Sequence, residues 1–446
     1  MNESNSRDSL RQPHVLARGA AMIACVLWAM PAARAELQIE VTSGVRDPVP
    51  IAIVPFAHAE ANPGDLDVAD IVQHDLEGSG RFRALPRERM PAQPSRADQV
   101  ASPAWKVLGT DYVVVGRTAA LDNGSLAVDF ELVNTLTGAR LAAQRFTGAP
   151  GAMRNAAHRV SDVIYQKILG VRGAFATRIA YVAVQGEAPA QHYQLIVADA
   201  DGANPHTILE SRFPLMSPAW SSDGQWLAYV SFETKHAAVY VQLVRSGERR
   251  QVSARAGVNG APAWSPDGHK LALTLGGSSG NPDIYVLDLT TQDLTRITDD
   301  PAIDTEPEWA PDGKSLFFTS DRAGSPQIYQ IGVNQGARPK RLTFGGNYNA
   351  RPRVSPDGAQ LAMVTLDNGN YRIAVQDLAS GAVRVLSHGH LDESPSFAPN
   401  GATLMYSERE GSRGSLATVS TDGLTGLRLK ASQGEVQEPA WGPFSP

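Results

Sequence analysis

Five near copies of one short phrase bound what this chain can fold into. "SPAWSSDGQWLAY" starts at Ser217, "APAWSPDGHKLAL" at Ala261, "EPEWAPDGKSLFF" at Glu306, "RPRVSPDGAQLAM" at Arg351 and "SPSFAPNGATLMY" at Ser394. Anchored on the turn, the copies fall at Asp223, Asp267, Asp312, Asp357 and Asn400, so the steps are 44, 45, 45 and 43 residues. A period of that size suits four-stranded propeller blades. One chemical site has no use for five copies, so the phrase reads as scaffold.

Within one copy each residue has a separate physical role. In Ser265-Pro266-Asp267-Gly268, proline fixes φ at the second turn position, aspartate can bond its own backbone, and glycine accepts the positive φ where the next strand starts. The phrase is therefore a hairpin corner. Leu271 and Leu273 alternate after it as a second strand, "DIYVLDL" from Asp283 makes a third and "LTRIT" from Leu294 a fourth. Trp220, Trp264, Trp309 and Trp441 recur just before the corner, where a large ring is expected to fill space between blades. A sixth copy is divided: "EPAWGP" at Glu438–Pro443 lacks its turn, while "TRIAYVAV" from Thr177 and "YQLIVADADG" from Tyr193 read as second and third strands without a first. The expected architecture is a six-bladed β-propeller closed by the C-terminal strand, which leaves no open sheet edge.

The chain before the repeats mixes periods. At 446 residues it exceeds what one core usually organises, so two domains are expected. "LQIEV" (Leu37–Val41) alternates, "IAIVPF" (Ile51–Phe56) reads as a buried strand, and Val68, Ile71, Val72 and Leu76 share one helical face. "DYVVVG" from Asp111 and the run from Ser125 to Phe146 read as strands, the second folding back around Thr137-Gly138. A helix over Met153–Leu169 should end at Gly170. The plan is an export signal at 1–35, a small N-terminal α/β domain at 36–170, a linker at 171–175 and the propeller at 176–446.

The export signal rests on Arg7, Arg11 and Arg18 ahead of a short apolar run, Gly19–Met30, with Ala33-Arg34-Ala35 at the cleavage positions. That run is too short to span a bilayer. A lipoprotein box ending at Cys25 is only faintly matched, because Met22 is a poor first residue. Cleavage removes Cys25, the only cysteine, and takes four arginines and two acids, moving the formal charge from −6 to −8. The mature chain must then be held by packing rather than disulfides. Its acidic balance speaks against nucleic acid as a main partner.

Catalytic patterns are thin. Gly276-Gly277-Ser278-Ser279-Gly280 matches the nucleophile-elbow spacing, but it lies in a Gly/Ser-rich loop between blade strands with no helix after it. His388 and His390 could share one strand face, yet no third ligand accompanies them. The reading is a binding protein with no catalytic, metal or cofactor site; its rival is a propeller-bearing hydrolase or lyase with an unrecognised site. The copies disagree where the chain enters each first strand: Leu215-Met216-Ser217, Asn259-Gly260-Ala261, Thr305-Glu306, Asn349-Ala350-Arg351, Asp392-Glu393-Ser394 and Gln437-Glu438. In a propeller these positions ring one mouth of the central channel, and Asp304, Glu306, Asp392, Glu393 and Glu438 are expected to make it acidic. Varied residues on a repeated frame suit a docking face.

The export signal, the small α/β domain, the "PAWSPDG" repeats and the "LDESPSFAPNG" and "PLMSPAW" segments together resemble the TolB family, periplasmic components of the Tol-Pal system, over essentially the whole mature chain. The resemblance implies that the mouth residues above bind the lipoprotein Pal, a contact that some colicins imitate. It also implies that Glu36, Leu37, Gln38, Ile39, Glu40 and Val41 belong to a segment, running on to Val45, that engages TolA, in a monomer that is peripheral to the envelope membranes and supports outer-membrane constriction at division. Val354 departs from the aromatic of the repeat, and Ser222 replaces the turn proline.

Overall fold

The computed structural model describes residues 37–58, 66–277, 280–411, 413–431 and 434–445. The expected export signal with Cys25, together with Glu36, Ser278 and Ser279, lies outside them.

The amino-terminal part is built around the apolar strand Val49–Ile53. It is flanked in parallel by Phe82–Ala84 and Tyr112–Ala120, and the sheet continues antiparallel through Leu126–Asn134 and Arg140–Gly148. Helices Val68–Gly78 and Met153–Leu169 bring Val72, Leu76, Val160 and Ile164 onto Ile51, Ile53 and Phe130. A second apolar cluster packs Trp105 with Ala52, Val54, Val113 and Val115. A strand buried on both faces needs this continuous apolar run. Asp67 Oδ1 caps the first helix by accepting from Asp70 N at 3.1 Å. Gly170, at φ 81°, ends the second helix.

From Arg178 onward, the described strands sort into four-stranded antiparallel units. The first comprises Leu215–Trp220, Trp226–Ser231, Ala238–Leu243 and Arg249–Ser253, and its copies begin at Asn259, Asp304, Asn349 and Leu391. A further unit joins Glu435–Trp441, at the carboxy end, to Arg178–Gln185, His192–Asp199 and His206–Ser211. The first strands of successive units touch in turn, and Glu435–Trp441 touches Leu215–Trp220. Between the fourth and fifth units one parallel bridge, Tyr371 to Leu391, also forms.

The corner phrase makes the bonds its residues permit. Gly268, at φ 73°, donates its N–H to Ser265 O at 2.9 Å, while Asp267 Oδ1 accepts from Ser265 Oγ at 2.5 Å and from His269 N at 3.0 Å. Each indole also finds a polar partner: Trp264 Nε1 donates to Ala219 O at 3.1 Å, Trp309 Nε1 to Ala263 O at 3.2 Å, and Trp220 Nε1 to Ala440 O at 3.1 Å. These three bonds cross from one unit to the preceding one. Trp220 thereby ties the first unit to the carboxy-terminal strand.

Residues 171–175 are packed rather than a loose tether. Asp162 O accepts from Gly173 N at 3.4 Å, and Asp162 Oδ1 accepts from Phe175 N at 2.8 Å. Burial pushes the Asp162 carboxyl up to about 6, against the pull of the Phe175 and Ala176 amides. Strand Leu37–Ser43 lies antiparallel on Gly426–Ala431, the outer strand of the fifth unit.

Candidate functional site

Each first strand carries a bulge just inside its entrance, and the bulge is made without glycine. Ser217, Ala261, Glu306, Arg351, Ser394 and Glu438 have φ of 51°, 46°, 56°, 54°, 56° and 54°. Each precedes a proline: Pro218, Pro262, Pro307, Pro352, Pro395 and Pro439. Register slips at the same place in all six strands. A proline has no N–H for a ladder and is tolerated inside a strand at such a bulge. The left-handed conformation strains a non-glycine residue by on the order of 1 kcal/mol. Repetition at equivalent positions marks the strain as part of the design, and it re-aims these side chains.

Hydroxyls of the preceding unit hold the ring. Thr274 Oγ1 accepts from Glu306 N at 3.1 Å, Thr319 Oγ1 from Arg351 N at 3.0 Å, and Ser407 Oγ from Glu438 N at 2.9 Å. Arg351 ties its own unit to three others: Nε meets Glu306 Oε1 at 2.9 Å, Nη1 lies 3.5 Å from Glu438 Oε1, and Nη1 also donates to Ser394 Oγ. Burial opposes its charge, but the Glu438, Glu306 and Glu393 carboxylates outweigh that and hold the guanidinium above the usual arginine range. Glu438 Oε2 further accepts from Ser217 N at 3.3 Å. Glu306 and Glu438 are thus acceptors in a network rather than free rim charges.

Burial divides the residues expected at the mouth. Met216, Gly260, Thr305, Glu393 and Gln437 keep solvent-exposed surface beside Ser217, Ala261, Glu306, Arg351 and Glu438. Leu215, Asn259, Asn349, Ala350 and Asp392 are no more than 2% exposed, which takes them off the contact surface. Asp304, also expected to make the mouth acidic, is fully buried. The polar ones clamp the loops instead. Asn259 Oδ1 accepts from Ser253 Oγ at 2.7 Å and Arg255 N at 2.9 Å; Asn349 Nδ2 donates to Gly345 O at 2.7 Å; Asp392 Oδ2 accepts from Gly389 N at 3.0 Å. Both oxygens of Asp304 take Arg322 Nη2, at 2.9 and 2.7 Å. What composition missed is an apolar set on the loops into these strands: Phe213, Val258, Ile303 and Phe344 are 41%, 42%, 49% and 75% exposed. One exposed apolar side chain on each of four entry loops, beside polar groups, suits protein contact.

The expected partner strand is a different kind of surface. Of its described residues Leu37, Gln38, Ile39, Glu40 and Val41, only Leu37 is buried, packing with Ile179, Ile196 and Leu429. Glu40 pairs with Lys430 Nζ at 2.6 Å in the open.

Asp75, His158 and Asp201 gather between the two parts of the chain, with one oxygen or nitrogen of each within 4.8 Å of the others. Asp75 Oδ2 lies 2.8 Å from His158 Nδ1 and Asp201 Oδ2 3.9 Å from Nε2, so the carboxylates face opposite edges of the ring. Elsewhere, His390 Nδ1 meets Asn370 Oδ1 at 2.9 Å. Among the described residues, no helix is long and apolar enough to cross a membrane.

Family models match along the chain: the TolB amino-terminal domain over residues 37–141 and the TolB beta propeller domain over 165–445. A Tol-Pal system protein TolB from Xanthomonas oryzae pv. oryzae is 46% identical over 411 residues, covering 92% of this chain and 93% of the relative. One from Xylella fastidiosa is 44% identical over 432 residues, covering 96% and 98%. The crystal structure of TolB from Acinetobacter baumannii superposes with a TM-score of 0.85 at 42% identity, covering 92% of this chain and 100% of that one. With both domains matched in order and these relatives aligned nearly end to end, the chain belongs to the TolB family of Tol-Pal system proteins.

Proposed function

We propose that this chain is a non-catalytic periplasmic adaptor: a small α/β domain over 36–170, joined through 171–175 to a six-bladed propeller over 176–446 that the carboxy-terminal strand closes. The mouth docks the lipoprotein Pal, and the strand beginning at Glu36 engages TolA. Through both contacts the protein supports outer-membrane integrity and constriction at division. One observation carries the reading of the mouth: six non-glycine residues held at positive φ at equivalent strand positions, with exposed apolar loops around them. Strain is retained where a surface must be presented in one geometry.

Glu393 is the residue to test it with. It stands beside the ring with part of its surface open, whereas Glu306 is bonded to Arg351 and Thr319, so a reversal there would also disturb the fold. Glu393→Lys should weaken Pal binding by about tenfold with an unchanged melting temperature, since a reversed charge meets the wrong partner potential. Titration calorimetry showing wild-type affinity for the folded variant would remove this face from the Pal site.

A further inference from the structure

One turn touches both the docked strand and the buried cluster between the domains. It runs from Asp199 to Asn204 and is closed by Gly202 N donating to Asp199 O at 2.8 Å and Ala203 N donating to Asp201 Oδ1 at 3.0 Å. On one side, Gly202 at φ 83° lies under Leu37: a Cβ at this position would fall 2.7 Å from Leu37 Cβ. On the other side its carboxylates face the amino-terminal domain. Arg154 Nε donates to Asp199 Oδ2 at 3.2 Å, Arg154 Nη2 donates to Asp201, and His158 Nε2 faces Asp201 Oδ2 at 3.9 Å.

His158 is 1% exposed and its Nε2 has no hydrogen-bond partner among the described residues, while Nδ1 is held by Asp75, which also accepts from Ser161 Oγ at 2.6 Å. A neutral imidazole that donates from Nδ1 presents a lone pair to the Asp201 carboxylate. A protonated one presents an N–H. Beside the cluster a cavity of about 120 Å³, lined by Ile39, Asp75, Tyr165, Asp201, Leu429 and Trp441, leaves room for the turn and strand to shift.

We infer that the Asp199–Asn204 turn couples the seating of the strand Leu37–Ser43 to the charge state of His158 in the buried interdomain cluster. With the imidazolium present, Asp201 is drawn between His158 and Arg154, and Gly202 is held flat beneath Leu37. When the proton leaves, Asp201 faces a lone pair and the turn loses one of its two anchors. The groups facing the ring are Asp75 from the helix Val68–Gly78, Asp199 and Asp201 from the turn, and Arg154 from its own helix, while Asp162 on that helix acts on Asp75. Burial works against the charge on His158, but Asp75 and Asp201 prevail and raise its affinity for the proton. A histidine raised by its native partners stabilises that arrangement at low pH and loses the contribution as pH climbs through the raised value. The strand is therefore released on the alkaline side.

The consequence for TolA rests on the proposed role of the strand; the coupling does not, so it is measured on the full chain without any partner. Hydrogen exchange of the Leu37–Ser43 amides, corrected for intrinsic rates, should lose about threefold or more of its protection between pH 6 and pH 9. His158→Asn keeps a donor toward Asp75 without the titration and should flatten that profile, while Gly202→Ala should abolish protection at every pH. An unchanged profile in His158→Asn overturns the inference. If that variant fails to fold, reciprocity provides the second arm: a threefold coupling requires deletion of residues 36–43 to shift the NMR titration of His158 by about half a pH unit. An unmoved titration equally overturns it.

Discussion

The mouth of the propeller and the strand Leu37–Ser43 are both proposed to meet other proteins, yet they are built in opposite ways. At the mouth, six strained backbones precede prolines, three of them donate to hydroxyls of the preceding unit, and an arginine ties its own unit to three others. The strand has one buried side chain, a ladder along a single edge and an exposed ion pair. Rigid, over-determined geometry suits recognition without rearrangement. A segment near the bottom of the local stability scale suits one that must leave its site. The difference teaches that the two proposed contacts need different physics: a docking mouth would lose affinity if it loosened, whereas a releasable strand would lose that role if it tightened.

The largest expected effect breaks the rigid side. Deleting Gln437–Pro446 removes the strand paired with Arg178–Gln185, the acceptor of the Trp220 indole, and the partly buried Trp441. Lost burial and pairing should destabilise the propeller by at least about 5 kcal/mol. Urea unfolding like that of the parent would show that this strand does not close the ring. Next in size is Arg351→Met, which leaves Glu306 and Glu438 without their shared cation and should cost about 2 kcal/mol. The loss should shrink as salt screens the two carboxylates. A melting temperature equal to that of the wild type at low ionic strength would demote the tie to an incidental contact.

Much of the rigid side was legible because its signals are local and repeated. The corner residues, Pro-Asp-Gly with Ser222 and Asn400 as the exceptions, act within four residues, and Trp220, Trp264 and Trp309 recur at a fixed distance from the turn. The left-handed bulges at the mouth positions escaped notice because glycine is the usual marker of positive φ, and here Ser, Ala, Glu and Arg occupy it. The following proline, present six times, was the readable sign of a bulge. Polarity misled at Asn259, Asp304, Asn349 and Asp392: each reads as a surface residue, but each is buried with neighbouring loop or strand groups bonded to it, Asp392 through Oδ2 alone. Asp75, His158 and Asp201 could not be associated by spacing at all, since three separate elements bring them together.

The marginal side is tested by smaller changes. Leu37→Ala removes the one buried anchor of the strand, worth about 2 kcal/mol locally. Exchange of the Leu37–Ser43 amides should therefore rise roughly thirtyfold, as that free energy corresponds to, while global unfolding hardly moves. If the whole chain were destabilised to the same extent, the strand would be part of the cooperative core and the contrast with the mouth would fail.

The smallest expected effect sharpens the comparison most. The Lys430 ammonium holds the Glu40 carboxyl below the usual glutamate range, but both side chains stand about half exposed, at 52% and 51%. Exposed pairs contribute little because water and salt screen them and both side chains lose rotamer freedom. Glu40→Ala should accordingly change exchange of the strand by no more than about twofold at physiological salt. A tenfold or larger change would mean that the strand is held by its charges rather than by Leu37. Its release would then answer to ionic strength, and the turn beneath Leu37 would no longer be the place where docking is decided.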